Sequence, residues 1–254
     1  MFNVQWLLKY FIIMAKWQKL YQATLRKLAR FWLRIYPRIA SLIATIGFFG
    51  LASCLLIIYV LSELSEEVLE REAFAFDKTI LLEIRSFANP TLDRIMLGIT
   101  RLGDPITVGT IAGVTLVILW WRRYRLEAKI FIINCIGGVV LSDGLKLAFS
   151  KSRPQLWDSL ISEETYSYPS GHALGSMVLY GFIANLLADR YPRFAVIIYI
   201  LATIIIGAIG LSRLYLGVHW PTDVIAGYGV GFLWITLCVT MLNLQKLGFK
   251  SNKR

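Results

Sequence analysis

Six apolar stretches, at about residues 40–61, 106–121, 130–149, 172–188, 194–211 and 223–243, constrain this chain more than any other feature. A helix needs about 20 mostly apolar residues to cross a bilayer. The second and fourth runs are short and contain glycine, so a soluble all-α protein with buried helices is the competing class. Composition argues against it: the chain is 57% hydrophobic and 17% charged, with mean hydropathy +0.61, which is too apolar for one ordinary soluble domain. The sequence therefore predicts an all-α, polytopic membrane helix bundle with about six transmembrane helices.

A net charge of +11 would suit a nucleic-acid partner, but the placement of the charges points to membrane topology instead. Residues 1–39, 122–129, 189–193 and 246–254 hold 18 of the 27 lysines and arginines and only two acids, Glu127 and Asp189. The other side holds fourteen acids, including Glu63, Glu66, Glu67, Glu70 and Glu72 after the first span. The positive-inside rule puts both termini in the cytoplasm. Cys54, Cys135 and Cys238 all fall in apolar spans, so no disulfide or metal framework is indicated. The first apolar run, Val4 to Met14, is broken by Lys9 and lacks a small-residue cleavage site, so no cleavable signal peptide is expected.

Three parts follow: a basic cytoplasmic arm (1–39), a six-span membrane domain (40–245) and a basic tail (246–254). Within the arm, Trp17, Leu20, Tyr21, Leu28, Phe31, Trp32 and Ile35 recur at helical spacing opposite Lys19, Arg26, Arg30 and Arg34. That pattern predicts a helix lying in the anionic cytoplasmic leaflet, or else a solvated juxtamembrane arm. Residues 63–104 read as an outer-surface segment with Leu69, Ala73, Phe76, Ile80 and Ile84 on one helical face, broken at Asn89-Pro90 and Gly103-Asp104-Pro105.

The two histidines of the chain both sit in polar turns at the outer ends of spans: His172 after Pro169-Ser170-Gly171, and His219 before Trp220-Pro221-Thr222-Asp223. Histidine titrates near neutrality and serves as nucleophile, acid or base. Lys146, Arg153 and Arg213 lie on the same side. Lys146 alone reads equally as a snorkelling anchor, but three cations with two histidines suit phosphate oxygens, to which arginine offers a planar fork of donors. Ser170 is a good N-cap and Gly171 lets backbone approach a ligand, so this helix start is either a plain cap or an anion site. His219 and Asp223, four apart, share a helical face; Asp223 can orient the imidazole, cap the span, or join both histidines around a metal, although the nearby cations disfavour a metal. Asp143, three residues before Lys146, reads as a functional acid within the span or, more readily, as an ion-pair partner that holds Lys146, and Trp157, Tyr166 and Tyr168 as bordering a lipid entrance or acting as interfacial anchors.

The arrangement Lys146-x6-Arg153-Pro154, then Pro169-Ser170-Gly171-His172, then Ser212-Arg213-x5-His219-x3-Asp223 resembles the three-part signature of the type 2 phosphatidic acid phosphatase superfamily. Every signature position is filled, in order, across residues 146–223. Vanadium haloperoxidases resemble it too, but they are soluble. The resemblance implies that His219 attacks phosphorus and becomes phosphorylated, that Asp223 orients it, and that His172 protonates the leaving group. Lys146, Arg153, Ser170, Gly171 and Arg213 would bind the phosphoryl oxygens, with no metal or other cofactor. The implied substrate is a phosphomonoester or diphosphate lipid: phosphatidic acid, phosphatidylglycerophosphate or undecaprenyl diphosphate. The compact form implies a bacterial plasma (inner) membrane, with the site on the outer face. The rival is a non-catalytic lipid-binding or lipid-transport protein that keeps the architecture, against which the intact His172, His219 and Asp223 argue.

Overall fold

A computed structural model describes residues 47, 50–66, 68 and 75–251. The chain divides into Met1–Phe48 and Phe49–Arg254, and the description below concerns the second unit. The amphipathic stretch 17–38 and the start of the first apolar run lie outside the described residues. Among the described residues the protein is all helix: α1 (residues 50–66), α2 (Ala75–Ser86), α3 (Pro90–Thr100), α4 (Pro105–Trp121), α5 (Arg125–Phe149), α6 (Gly171–Arg190), α7 (Ala195–Tyr215) and α8 (Pro221–Ser251).

Local chemistry sets the helix ends. Asn89 Oδ1 accepts from the amides of Thr91 and Leu92 at 3.1 and 3.0 Å, and Pro90 begins α3. Arg123 and Ser150 take left-handed backbone angles, φ 62° and 47°, where α4 and α5 stop. Among the described residues, four segments are long and apolar enough to cross a membrane: α5, α6, the run Pro192–Tyr215, and α8 as far as Leu247. The pair α3 and α4 meets the same criterion together, bent by 48° around Asp104. Residues 90–103 can thus belong to a broken span rather than to the outer surface.

At the centre of the bundle α6 packs against α5, α7 and α8. Its lower half shares a core with α4, α5 and α8 through Leu119, Phe131, Leu179, Phe182, Ile235 and Cys238. Small residues bring the helices close, as bilayer interfaces require. A Cβ on Gly137 would fall 2.0 Å from the Trp234 ring, and one on Gly210 would fall 1.9 Å from the Tyr228 hydroxyl. Large apolar side chains such as Ile136, Val140, Leu147, Val196 and Ile204 face outward, which suits an apolar solvent.

Helix α2 departs from its expected register. Phe76 and Ile80 are exposed, while Asp77 and Leu81 are buried; Ile84 does pack inward, against the cluster of Tyr215, Leu216 and Val218. Where the surroundings are partly lipid, an apolar stripe does not single out the inward face. Leu69 and Ala73 lie outside the described residues.

Candidate active site

Chain reversal between α7 and α8 depends on Gly217, which adopts φ +71° and lies so close to the Trp157 ring that a Cβ would come within 2.6 Å. The turn buries His219, leaving it 1% exposed. Its Nδ1 lies 3.5 Å from Asp223 Oδ2, and its Nε2 lies 3.2 Å from Arg153 Nη1. A guanidinium only donates, so Nε2 presents its lone pair and Nδ1 carries its hydrogen toward Asp223. Burial pushes the imidazole down to about 4, against the opposing pull of Asp223, so the ring is neutral at pH 7.

Asp223 is fully buried in the first turn of α8 and well supplied with donors. It accepts from Lys151 Nζ at 2.8 Å, from the Trp220 amide at 2.9 Å and from the Ser167 hydroxyl. Lys151 also donates to Thr222 Oγ1 at 2.9 Å. Thr222 gives its amide and hydroxyl to Asp77 at 3.1 and 2.7 Å. Burial pushes the Asp77 carboxyl up, partly offset by those two bonds and by Lys151.

Around Glu163 and Thr165 the loop between α5 and α6 gathers three cations. Arg153 donates through Nη1 to the Val218 carbonyl and through Nε to the Thr165 carbonyl, each at 2.7 Å. Lys146, in the last turn of α5, donates to Thr165 Oγ1 at 2.9 Å. Arg213, 1% exposed, reaches Thr100 Oγ1 at 2.8 Å and the Glu163 carboxylate, which also stands 3.8 Å from Arg153. Its Nε is buried with no hydrogen-bond partner among the described residues, a donor suited to an anion. Burial pushes Glu163 up, but the charges of Arg213 and Arg153 outweigh that and hold it below the usual glutamate value.

Ser170 caps α6, accepting from the Ala173 amide at 3.5 Å, while its own amide donates to the Asp223 carbonyl at 2.9 Å. That bond ties the start of α6 to α8. A Cβ on Gly171 would stand 3.5 Å from Lys146 Nζ, so the absent side chain leaves the ammonium beside a helix N-terminus. His172 follows, with Nε2 3.0 Å from Asp104 Oδ1.

These contacts bring Lys146, Arg153, Arg213, His219 and Asp223 together, with Ser170 and Gly171 against them; His172 pairs with Asp104 instead. Two expectations need correction. Lys146 bonds Thr165 rather than forming an ion pair with Asp143, which is exposed and acts on it only through space. Tyr168 does not border an entrance: it is 2% exposed, packs edge-on to Phe149 and shares a hydrogen bond with Ser65. Sequence reasoning missed Asp77, Lys151, Glu163, Thr165 and Ser167, which lie outside the signature positions, and read Asp104 only as part of a break. No group of three His, Cys, Asp or Glu side chains is gathered for a metal among the described residues, so His172, His219 and Asp223 do not form a donor set.

Comparison with known proteins gives consistent results. The PAP2 superfamily profile matches residues 127–246. Phosphatidylglycerophosphatase B of Bacillus subtilis (strain 168) is 32% identical over 152 residues, covering 57% of this chain and 72% of that protein. An undecaprenyl-diphosphatase of Sulfolobus acidocaldarius is 32% identical over 151 residues, covering 58% and 68%. The crystal structure of a transmembrane PAP2-type phosphatidylglycerolphosphate phosphatase from Bacillus subtilis shares the fold, with TM-score 0.67 and 24% identity, over 80% of this chain and 98% of that one.

Proposed function

This chain belongs to the PAP2 superfamily, and on that premise we propose that it is an integral-membrane lipid phosphatase working through a phosphohistidine on His219. The observation that carries the assignment to His219 is the placement of its ring, with Nε2 3.2 Å from Arg153 Nη1 and Nδ1 3.5 Å from Asp223 Oδ2, which assigns the lone pair to Nε2. Nε2 forms a bond to phosphorus as the bond to the leaving oxygen breaks, and His172 gives that oxygen a proton. Asp223 balances the charge that grows on the ring of His219. A water molecule then gives a proton to the now neutral His172 and attacks phosphorus, releasing phosphate and restoring His219. Lys146, Arg153, Arg213, Ser170 and Gly171 bind the phosphoryl oxygens; positioning and charge supply most of the catalysis of such transfers.

The substrate class is a phosphomonoester or diphosphate lipid, with phosphatidic acid, phosphatidylglycerophosphate and undecaprenyl diphosphate as the panel. The six apolar runs of the sequence support six spans, its charge asymmetry supports cytoplasmic termini and a site on the outer face, and the compact six-span form supports a bacterial plasma membrane. Purified protein in detergent should release phosphate from at least one panel lipid, be inhibited by vanadate and keep its activity in EDTA. His219→Ala should abolish turnover and the acid-labile phosphoenzyme. Release dependent on an added divalent ion, or a phosphoenzyme that persists in His219→Ala, would reject the mechanism.

A further inference from the structure

The bend between α3 and α4 is built against α6 and α7. Thr100 accepts from Arg213 at 2.8 Å, and the Leu102 carbonyl accepts from the Tyr180 hydroxyl at 2.7 Å. Gly103 lies so close to His172 that a Cβ would fall 2.7 Å from its Cδ2 and 2.9 Å from Ile209. Asp104 follows at the N-cap position of α4 with extended backbone, φ −64° and ψ 144°, and yet its side chain caps nothing. Asn89 and Ser170, at the same position of α3 and α6, do cap their helices. An aspartate can forgo that stabilising bond when its carboxylate is engaged elsewhere. Here it accepts from His172 Nε2 at 3.0 Å.

We propose that Asp104 is a positioning residue for the general acid: the α3–α4 bend holds its carboxylate on Nε2–H of His172, fixing the ring and stabilising its protonated form. The inference rests on the reading of His172 as the acid. When the lipid P–O bond breaks, the leaving oxygen takes its proton from Nδ1, the nitrogen Asp104 does not hold; the imidazolium becomes neutral and Asp104 stays ionised. Each reactive histidine then has its own carboxylate, Asp223 for the nucleophile and Asp104 for the acid.

A double-mutant cycle on the full-length protein in detergent tests this, with Asp104→Asn, Asp104→Glu, His172→Ala and Asp104→Asn/His172→Ala. The substrates are phosphatidic acid, with an alkoxide leaving group, and p-nitrophenyl phosphate, whose leaving group needs little protonation. Asp104→Asn should lower kcat on phosphatidic acid by about tenfold or more and on the aryl ester far less, since general acids matter most for poor leaving groups. Asp104→Glu should recover part of the loss, and Asp104→Asn should cost little once His172 is already alanine. Equal losses on both substrates, or losses that multiply in the double variant, would overturn the role of Asp104. If His172→Ala itself keeps full activity on phosphatidic acid, the underlying assignment of the acid fails instead.

Discussion

Lys151 Nζ lies 2.8 Å from Asp223 Oδ1, so the carboxylate facing His219 is itself held by a cation from the α5–α6 loop. Both carboxylate oxygens are used, one by Lys151 and the other by Ser167, the Trp220 amide and the imidazole. Lys151 therefore limits how strongly Asp223 can hold a proton on His219. The arrangement favours a neutral His219 ring over a protonated one.

Replacing Lys151 with methionine should raise the pH at which kcat/KM falls on the acid side, because an unopposed Asp223 stabilises the protonated ring of His219. A loss of about tenfold at neutral pH should accompany the shift, since a buried carboxylate is left without its cation. Lys151→Arg should restore most of both. An acid limb in the methionine variant that overlays the wild type would show that Lys151 has no part in setting the nucleophile.

The low value of His219, about 4, has a consequence for stability. An unfolded histidine titrates near 6.5, so between about 6.5 and 4 the unfolded chain takes up a proton that the folded protein refuses. The stabilisation is complete above the unfolded value and is lost as pH falls through this window. Apparent unfolding temperature, followed by tryptophan fluorescence from pH 7 to 4, should drop, and His219→Gln should lack the share of the drop due to this group. Parallel curves for the two proteins would contradict a buried neutral His219.

At Gly210 the absence of a side chain is required by packing rather than by backbone angle. The Tyr228 hydroxyl, donating to the Ile206 carbonyl at 2.6 Å, fills the space a Cβ would take, and the Val224 side chain, one turn earlier on α8, would stand 2.8 Å from that Cβ. Gly210→Ala should cost about 1–3 kcal/mol of packing and lower the apparent inactivation temperature in detergent. Adding Tyr228→Phe should recover part of the loss. A Gly210→Ala protein as stable as the wild type would mean that α7 and α8 separate freely.

Much of the helical framework was legible because long apolar runs, such as those within α5 and α8, announce themselves whatever they pack against. Register was harder. In α2 the buried face carries Asp77, which serves Thr222 across 145 residues, while the apolar Phe76 and Ile80 look outward. No local period records such a partnership. The site divides the same way. Residues in fixed turns at helix ends, such as His172 and His219, stand out by type and spacing. Lys151, Glu163 and Ser167 sit in an aperiodic loop, where only the folded arrangement shows which charge meets which.

The last prediction concerns sidedness and rests on charge placement alone. Residues 1–39, 122–129, 189–193 and 246–254 carry 18 cations against two acids, a strong orientation signal. If those segments are cytoplasmic, the α5–α6 loop with Arg153 and Glu163 and the α7–α8 turn with His219 face outward, toward lipid in the outer leaflet. Ser162 is exposed in the first of these, and Tyr124, 40% exposed, lies in the α4–α5 turn at the opposite ends of the helices. A single cysteine at position 162 should react with a membrane-impermeant maleimide in intact spheroplasts, and one at position 124 only after the membrane is opened. The reverse pattern would place the site in the cytoplasm and change the lipid pool it draws on, while leaving the chemistry of His219 untouched.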